Sequence, residues 1–407
     1  MKLLSVAALT LLLVLTSLAP AQIKPVSGKV VTPDSSIEKP VDIGKRAHTN
    51  IHVVLPTTPF RDAQPFGAPY AGYAYETPAS IGCVYNLVKA VKGCNPNTVT
   101  ANPTGGAKMI AIVDAYDAPN AASDLAAFST QFGLPAATFQ KVYASGSQPP
   151  YDAGWETEES LDVQWTHAMA PDAQIVLVEA ASNSYTDLMT AEDVASKMVN
   201  AAGGGEVTNS WGGGEWSSET SYDSHFVKKN VVFFASTGDG PGTIWPSTSP
   251  NVVAAGGTTV RRNPSTGDYM AEVPWNDGGG GISSVEAIPS YQSGISSIVG
   301  SSRGVPDLSF DANPDTGVWV YISDQGGWYI VGGTSVSSPS LAGVINSAGS
   351  FYTSSVAELT EIYGNLGVAT DFRDITTGYC GPYAGYNAAK GWDFCTGVGV
   401  DKGKVGK

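Results

Sequence analysis

The sequence predicts an α/β fold, a mostly parallel sheet flanked by helices on both faces. Two observations carry this. Beyond Tyr85, short unbroken apolar runs alternate with amphipathic stretches of helical length, the pattern of strands buried on both faces. Hydrophobic residues make up 42% of the chain, with 9 Trp, 18 Tyr and 12 Phe among its 407 residues, enough for one large core. Glycine is in excess at 47 residues, which calls for many tight turns or for backbone that approaches something closely.

In chain order, Met1-Lys2, an apolar run from Leu3 to Leu18 and Ala19-Pro20-Ala21 read as a signal peptide over 1–21. The run is short for a bilayer span, and no second apolar stretch of that length follows. Residues 22–65 are rich in Pro, Thr and Val without helical periodicity, and are expected to be an irregular segment or vestigial propeptide. The remainder, 66–407, is expected to be one domain. Strands are expected at 109–113, 174–178, 207–210, 231–236, 252–255 and 318–322, each a continuous apolar run. Helices are expected at 121–132, 156–169, 185–202, 218–229, 335–351 and 355–366. In such a sheet, ligands bind at the carboxyl ends of the strands.

Lys and Arg number 22 against 37 Asp and Glu, a net charge of −15 that argues against nucleic-acid binding through a basic face. So few charges, mostly carboxylates, suit an exported protein working in acid, where self-repulsion falls. The four cysteines form two local pairs, Cys83 with Cys94 and Cys380 with Cys395, the simplest pattern of disulfides in an oxidising compartment. No Cys-x-x-Cys occurs, so a zinc or redox site has no support.

Three segments offer chemistry. Gly333-Thr-Ser335 precedes an apolar helix, placing a serine hydroxyl at a glycine-preceded turn among free backbone N–H groups. On this segment alone a plain helix cap is the simpler account of that serine. In the run Glu156-Thr-Glu-Glu-Ser-Leu-Asp162, Glu158 and Asp162 are four apart and share a helical face. If the pair is desolvated, one carboxyl keeps its proton above the usual range, suited to acid-base work; if exposed, it is a solvated first turn. Glu159 is also within reach of Asp162. Asp239 follows an apolar strand and a glycine, as a site aspartate or a turn aspartate would. Of the four histidines, His48 and His52 lie in or beside the N-terminal segment, and His167 reads as a core or rim residue.

Together these segments resemble the sedolisin family of serine-carboxyl peptidases, acid-acting relatives with the subtilisin fold. The pieces stand in the family's order: Ile110 to Asp117, Glu158 to Asp162, Asn209-Ser-Trp-Gly212, Ala235-Ser-Thr-Gly-Asp239, Gly256-Gly-Thr-Thr259, Arg303-Gly-Val-Pro-Asp307, Gly333 to Pro339, and Asp374-Ile375 with Gly391-Trp-Asp393. The resemblance implies a secreted, monomeric peptidase of proteins or peptides. It makes Ser335 the nucleophile, Glu158 the general base, Asp162 its proton-sharing partner and Asp239 a protonated oxyanion donor. It also implies a Ca2+ site from Asp374, Asp393 and the carbonyls of Ile375, Ala389 and Gly391, an oxygen-only shell. The family has glycine where Ala389 stands, and it usually carries a long folded prodomain, which puts zymogen control in question here. Two other readings compete: a neutral triad of Asp114, His167 and Ser335, and a secreted binding protein on an inactive peptidase scaffold.

Overall fold

A computed structural model describes residues 28–56, 67–70, 72–381 and 386–404. The signal-peptide expectation lies outside these residues. The centre is a 10-stranded sheet. It runs Leu308–Asp311, Val253–Arg262, Val231–Ser236, Gly205–Asn209, Met109–Ala115, Gln174–Ala180 and, at one edge, Thr138–Tyr143, all paired in parallel. Antiparallel pairing enters only at the margins, through Tyr269–Pro274 and Phe372–Arg373.

Strand alternation sorts the core into two faces. Ile110, Ile112, Ile175 and Leu177 turn toward the helices Ala121–Phe132, Ala153–Met169 and Ser337–Ala348. Ala111, Val113, Val176 and Val178 turn toward the helix Tyr185–Ala201. Gly343 lets two of these helices close together, because a Cβ there would lie 2.7 Å from Met169 Cβ. Arg303 and Asp307 form a fully buried, bidentate ion pair at 2.7 and 2.5 Å. Breaking it by removing either partner would cost about 3–5 kcal/mol, since a buried charge would remain uncompensated. Both disulfides, Cys83–Cys94 and Cys380–Cys395, are formed.

Several expectations are corrected. The 218–229 stretch makes two short 3-10 turns, Glu219–Ser221 and Asp223–Phe226, whose Tyr222 and Phe226 pack against Trp245 in an aromatic cluster that replaces helical packing. Val318–Ile322 is a strand, but it pairs antiparallel with Gly327–Gly332 in a separate 4-stranded sheet. Five strands of the central sheet were not expected, among them Thr138–Tyr143, whose half-exposed residues give no continuous apolar run. The helix after Ser335 begins at Ser337, leaving Ser335 in the preceding turn.

Residues 28–56 carry strands where an irregular segment was expected. Gly28–Val31 pairs with His52–Pro56, which pairs in turn with Gly327–Gly332. His48–Thr49 pairs antiparallel with Trp211–Gly214. Their regularity comes from the sheet edges they lie on, which local sequence does not report.

Candidate active site

The site forms where the sheet's carboxyl edge meets the helix Ala153–Met169 and the turn before Ser337–Ala348. Gly205–Asn209 delivers Ser210, Val231–Ser236 leads through Thr237 and Gly238 to Asp239, and Gly333–Thr334 brings in Ser335. Ser335 Oγ donates to Glu158 Oε2 at 2.8 Å and lies 3.1 Å from the carbonyl of Ser210. One turn further along the helix, Asp162 accepts a bond from Ser210 Oγ at 2.8 Å. Ser335, Glu158, Asp162 and Ser210 are fully buried.

Burial first, then the neighbouring carboxyls of Asp162 and Asp114, push Glu158 well above its ordinary value. Burial also raises Asp162, opposed by hydrogen bonds from Ser210 and from Glu158. Glu158 Oε1 and Asp162 Oδ2 are buried without a hydrogen-bond partner, which leaves both free for a proton shared between the two carboxyls. Glu159 points elsewhere: burial and the charges of Glu179 and Asp114 hold its proton, so of the two adjacent glutamates only Glu158 reaches Ser335. Asp114 lies behind the pair, raised by burial and by Asp162 and Glu179.

Asp239 faces Ser335 from the other side. Its Oδ1 accepts the N–H and the hydroxyl of Thr334 at 2.7 and 2.9 Å, while Oδ2 is buried without a hydrogen-bond partner. Burial raises Asp239 to about 8, so the carboxyl is neutral in acid, and Oδ2 is the oxygen that Thr334 leaves free. Gly333, at φ 112°, makes room there, since a Cβ would lie 2.5 Å from Asp239 Oδ2.

Three of the four histidines lie outside this arrangement, and the fourth, His52, borders Asp239. His167 is nine residues beyond Glu158, about 13.5 Å along the helix and on its opposite side, and it bonds the carbonyl of Pro135 at 2.9 Å. His225 pairs with Asp193 and His48 with the Thr49 carbonyl. His52 bonds Thr32 and lies 3.5 Å from Asp239 Oδ2, its ring edge-on to Trp275. The triad of Asp114, His167 and Ser335 is therefore not assembled.

Sequence reasoning missed Asn50, Ser236 and Thr334. Asn50 N–H lies 3.2 Å from Ser335 Oγ and 3.3 Å from Glu158 Oε2, and its side chain donates to Ser236 Oγ at 2.7 Å. No local signal marks a residue that reaches the site by pairing across most of the chain. Thr334 and Ser236 stood within quoted segments, but neither had a chemical reason to be singled out.

The C-terminal loop brings Asp374 and Asp393 to one turn. Gly391 N–H donates to Asp374 Oδ2 and Ala389 N–H to Asp393 Oδ2, each at 2.9 Å. Asp374 Oδ1 is buried without a partner. Asp393 Oδ1 is saturated by Cys395, Thr396 N–H and the Thr396 hydroxyl, while Oδ2 takes only one bond. Asp374 Oδ1 and Asp393 Oδ2 thus keep lone pairs that an oxygen-seeking cation could use. Among the described residues, no cluster of three or more His, Cys, Asp or Glu side chains is placed to hold a metal.

No family model matches the chain. It is 29% identical over 362 residues to sedolisin of Pseudomonas sp. (strain 101), covering 76% of this chain and 60% of that protein. It is 30% identical over 333 residues to kumamolisin of Bacillus sp. (strain MN-32), covering 72% of this chain and 58% of that protein. The chain thus spans about three fifths of the length of these curated relatives. Among solved structures, Pseudomonas sedolisin, a serine-carboxyl proteinase complexed with two molecules of pseudo-iodotyrostatin, superposes with a TM-score of 0.67 at 26% identity, covering 81% of this chain and 95% of that one. A psychrophilic protease shares the fold at a TM-score of 0.53 and 18% identity, covering 81% of this chain and 98% of that one. The fold is subtilisin-like, and with kinship to two curated relatives over most of its length the chain belongs to the sedolisin family.

Proposed function

We propose that this protein is an acid-acting serine-carboxyl peptidase, exported from the cell, that hydrolyses peptide bonds in proteins or peptides. The observation that carries the reading is the 2.8 Å hydrogen bond from Ser335 Oγ to Glu158 Oε2, which gives a buried serine a carboxylate base in the place of a histidine.

Ser335 Oγ attacks the scissile carbonyl as its proton passes to Glu158. Asp162 stabilises that state by sharing protons with Glu158, and Ser210 holds Asp162 in orientation. The developing oxyanion is met by Ser335 N–H and by the protonated Oδ2 of Asp239. Glu158 then protonates the leaving amine, and water, activated by the same carboxylate, releases the acyl group. A carboxylate base and a carboxylic-acid donor work together only if their environments keep different protonation states. Asp239 stands apart from the Glu158–Asp162 pair, and Thr334 fixes which of its oxygens is free to donate.

The loop of Asp374 and Asp393 is proposed to hold Ca2+, with the carbonyls of Ile375, Ala389 and Gly391. A bound cation there supplies structure, tying the C-terminal loop together beside the Cys380–Cys395 bridge, and takes no part in the reaction.

The test is digestion of an acid-unfolded protein between pH ~3 and ~7 by the wild type and by Ser335→Ala. Cleavage confined to acid and lost in the variant is the expected result. Cleavage only near neutrality, or unchanged in the variant, would overturn the reading, and no cleavage by either would favour an inactive scaffold.

A further inference from the structure

The strand beside Ser335 is almost without side chains. Trp211–Gly214 reads Trp-Gly-Gly-Gly, with one edge paired to Ile244–Trp245 and the other to His48–Thr49. The second edge leads to the nucleophile, because Thr49 is followed by Asn50, whose N–H lies 3.2 Å from Ser335 Oγ. A peptide that reaches Ser335 in extended form takes this edge by strand addition. Consecutive glycines have no preference for the extended form and lose the most freedom when fixed in it. Close packing requires them here: a Cβ on Gly212 would lie 2.8 Å from the Trp245 carbonyl oxygen, and one on Gly213 2.5 Å from the Tyr185 hydroxyl. Their shape must therefore be imposed by what the strand is tied to.

Glu215, the next residue, is such a tie. Its carboxylate accepts the Thr243 hydroxyl at 2.7 Å, the Ser284 N–H at 3.1 Å and the Ser283 hydroxyl. Thr243 precedes the strand Ile244–Trp245, and Ser283 and Ser284 belong to the strand Gly281–Ala287, so one side chain joins three strands. Behind it stands Glu219, fully buried, which accepts Trp216 N–H at 2.7 Å and is hydrogen-bonded through its carboxyl to that of Glu215. Asp223 and Glu286 form a second bonded pair, joining the turn Asp223–Phe226 to the same strand Gly281–Ala287. Asp223 Oδ1 and Glu286 Oε1 are buried, and no N–H or hydroxyl donates to either. Two carboxyls hydrogen-bond only when one of them is protonated. Burial raises Glu219 to about 8 and Glu286 to about 7, and the bond to the partner carboxyl acts in the same direction, so these two keep the proton and donate it.

We infer that Glu215, Glu219, Asp223 and Glu286 are positioning residues of the peptidase, two bonded carboxyl pairs that hold the glycine strand Trp211–Gly214 in the shape a substrate peptide pairs with. The inference rests on the peptidase reading above. Ser335, Glu158, Asp162 and Asp239 make their hydrogen bonds with other residues, so the pairs act on peptide binding and not on the chemical step. The charged and titratable groups around them are already committed. Arg303 faces Glu286 but is bound to Asp307, and His225 pairs with Asp193. Glu38 accepts Gly214 N–H at 2.7 Å, and Tyr185, beside Glu38 and Glu219, keeps its proton through burial. None of them is free to replace a lost proton. Once a pair loses it, two carboxylates face each other in a buried space and repel, and the end of the strand is released.

The experiment measures kcat and KM on a chromogenic peptide between pH ~4 and ~7 for the wild type, for Glu219→Ala with Glu286→Ala, and for Glu219→Gln with Glu286→Gln. Glutamine keeps an N–H to donate and does not ionise. The alanine variant should show a KM raised at least ~10-fold at pH ~4, with kcat within ~3-fold of the wild type. The glutamine variant should recover most of that loss and hold its KM constant with pH. The wild-type KM should climb at least ~2-fold by pH ~7, where Glu286 is half ionised. A loss in kcat at unchanged KM in the alanine variant would overturn the inference and leave the peptidase reading standing. So would a glutamine variant whose KM climbs with the wild type's, and this comparison decides the matter if the alanine variant does not fold. A wild type that cleaves nothing at any pH would overturn the peptidase reading, and this inference with it.

Discussion

Glu158 and Asp162 stand one helical turn apart, fully buried, and each has one carboxyl oxygen with no hydrogen-bond partner. The neighbouring Glu159 is equally buried but makes no contact with Ser335. Glu158→Gln is therefore expected to lower kcat by about 10³-fold or more, and Glu159→Gln by less than about 10-fold. Rates on a chromogenic peptide at acidic pH distinguish them. Equal losses would remove the assignment of Glu158.

Asp239 makes a different demand, because it must donate. Asp239→Ala removes the donor and is expected to cost about 10²–10³ in kcat. Asp239→Asn keeps an acceptor for Thr334 and gains an N–H that never ionises, so it should retain more activity than the alanine variant. Its activity relative to the wild type should grow as pH rises toward about 8, where Asp239 of the wild type loses its proton. An asparagine variant no better than alanine at any pH would argue against an oxyanion role.

Gly333→Ala tests the same space sterically. The added Cβ would meet Asp239 Oδ2 and the position occupied by the Asn50 carbonyl oxygen, at a φ that disfavours side chains. Turnover should fall by more than about 10²-fold, with a folded protein by circular dichroism. Near-normal turnover would mean that the reacting carbonyl sits elsewhere.

Stability should fall as pH rises. Outside the Glu158–Asp162 pair, burial raises Asp114 and Glu159 above their ordinary values, Asp239, Glu206 and Glu219 to about 8, and Glu179 and Glu286 to about 7. The folded state keeps these protons at pH values where the unfolded chain has lost them, so unfolding releases protons. The stabilisation is full below the unfolded carboxyl range near ~4 and is lost progressively up to about 8. Thermal melts of Ser335→Ala, which cannot digest itself, should show Tm declining across that range. A Tm that rises between pH ~4 and ~7 would contradict the assignment of buried, protonated carboxyls.

Calcium removal should lower Tm if Asp374 and Asp393 hold the ion. Asp374→Ala should lower it likewise and abolish the further effect of chelator. A wild-type Tm indifferent to chelator would exclude the site.

The parallel sheet was legible because its interior strands are buried on both faces and read as unbroken apolar runs; Val231–Ser236 is an example. Thr138–Tyr143 was not legible, because half-exposed residues break the run, and Val318–Ile322 looked parallel because an apolar strand carries no mark of its partner's direction. The carboxyl pair on the helix could be read from spacing, since helical periodicity is local. Its depth could not, because full burial of Glu158 depends on elements far away in sequence. Asn50 had no local signature at all: its place is fixed by Trp211 on one side and Gly332 on the other.

The pairing of Gly28–Val31 with His52–Pro56 has a consequence for folding. The second strand pairs in turn with Gly327–Gly332, so this edge joins residues almost three hundred positions apart in the chain. Closing so long a loop carries its entropic cost before any contact repays it, which places this sheet among the last parts of the molecule to form.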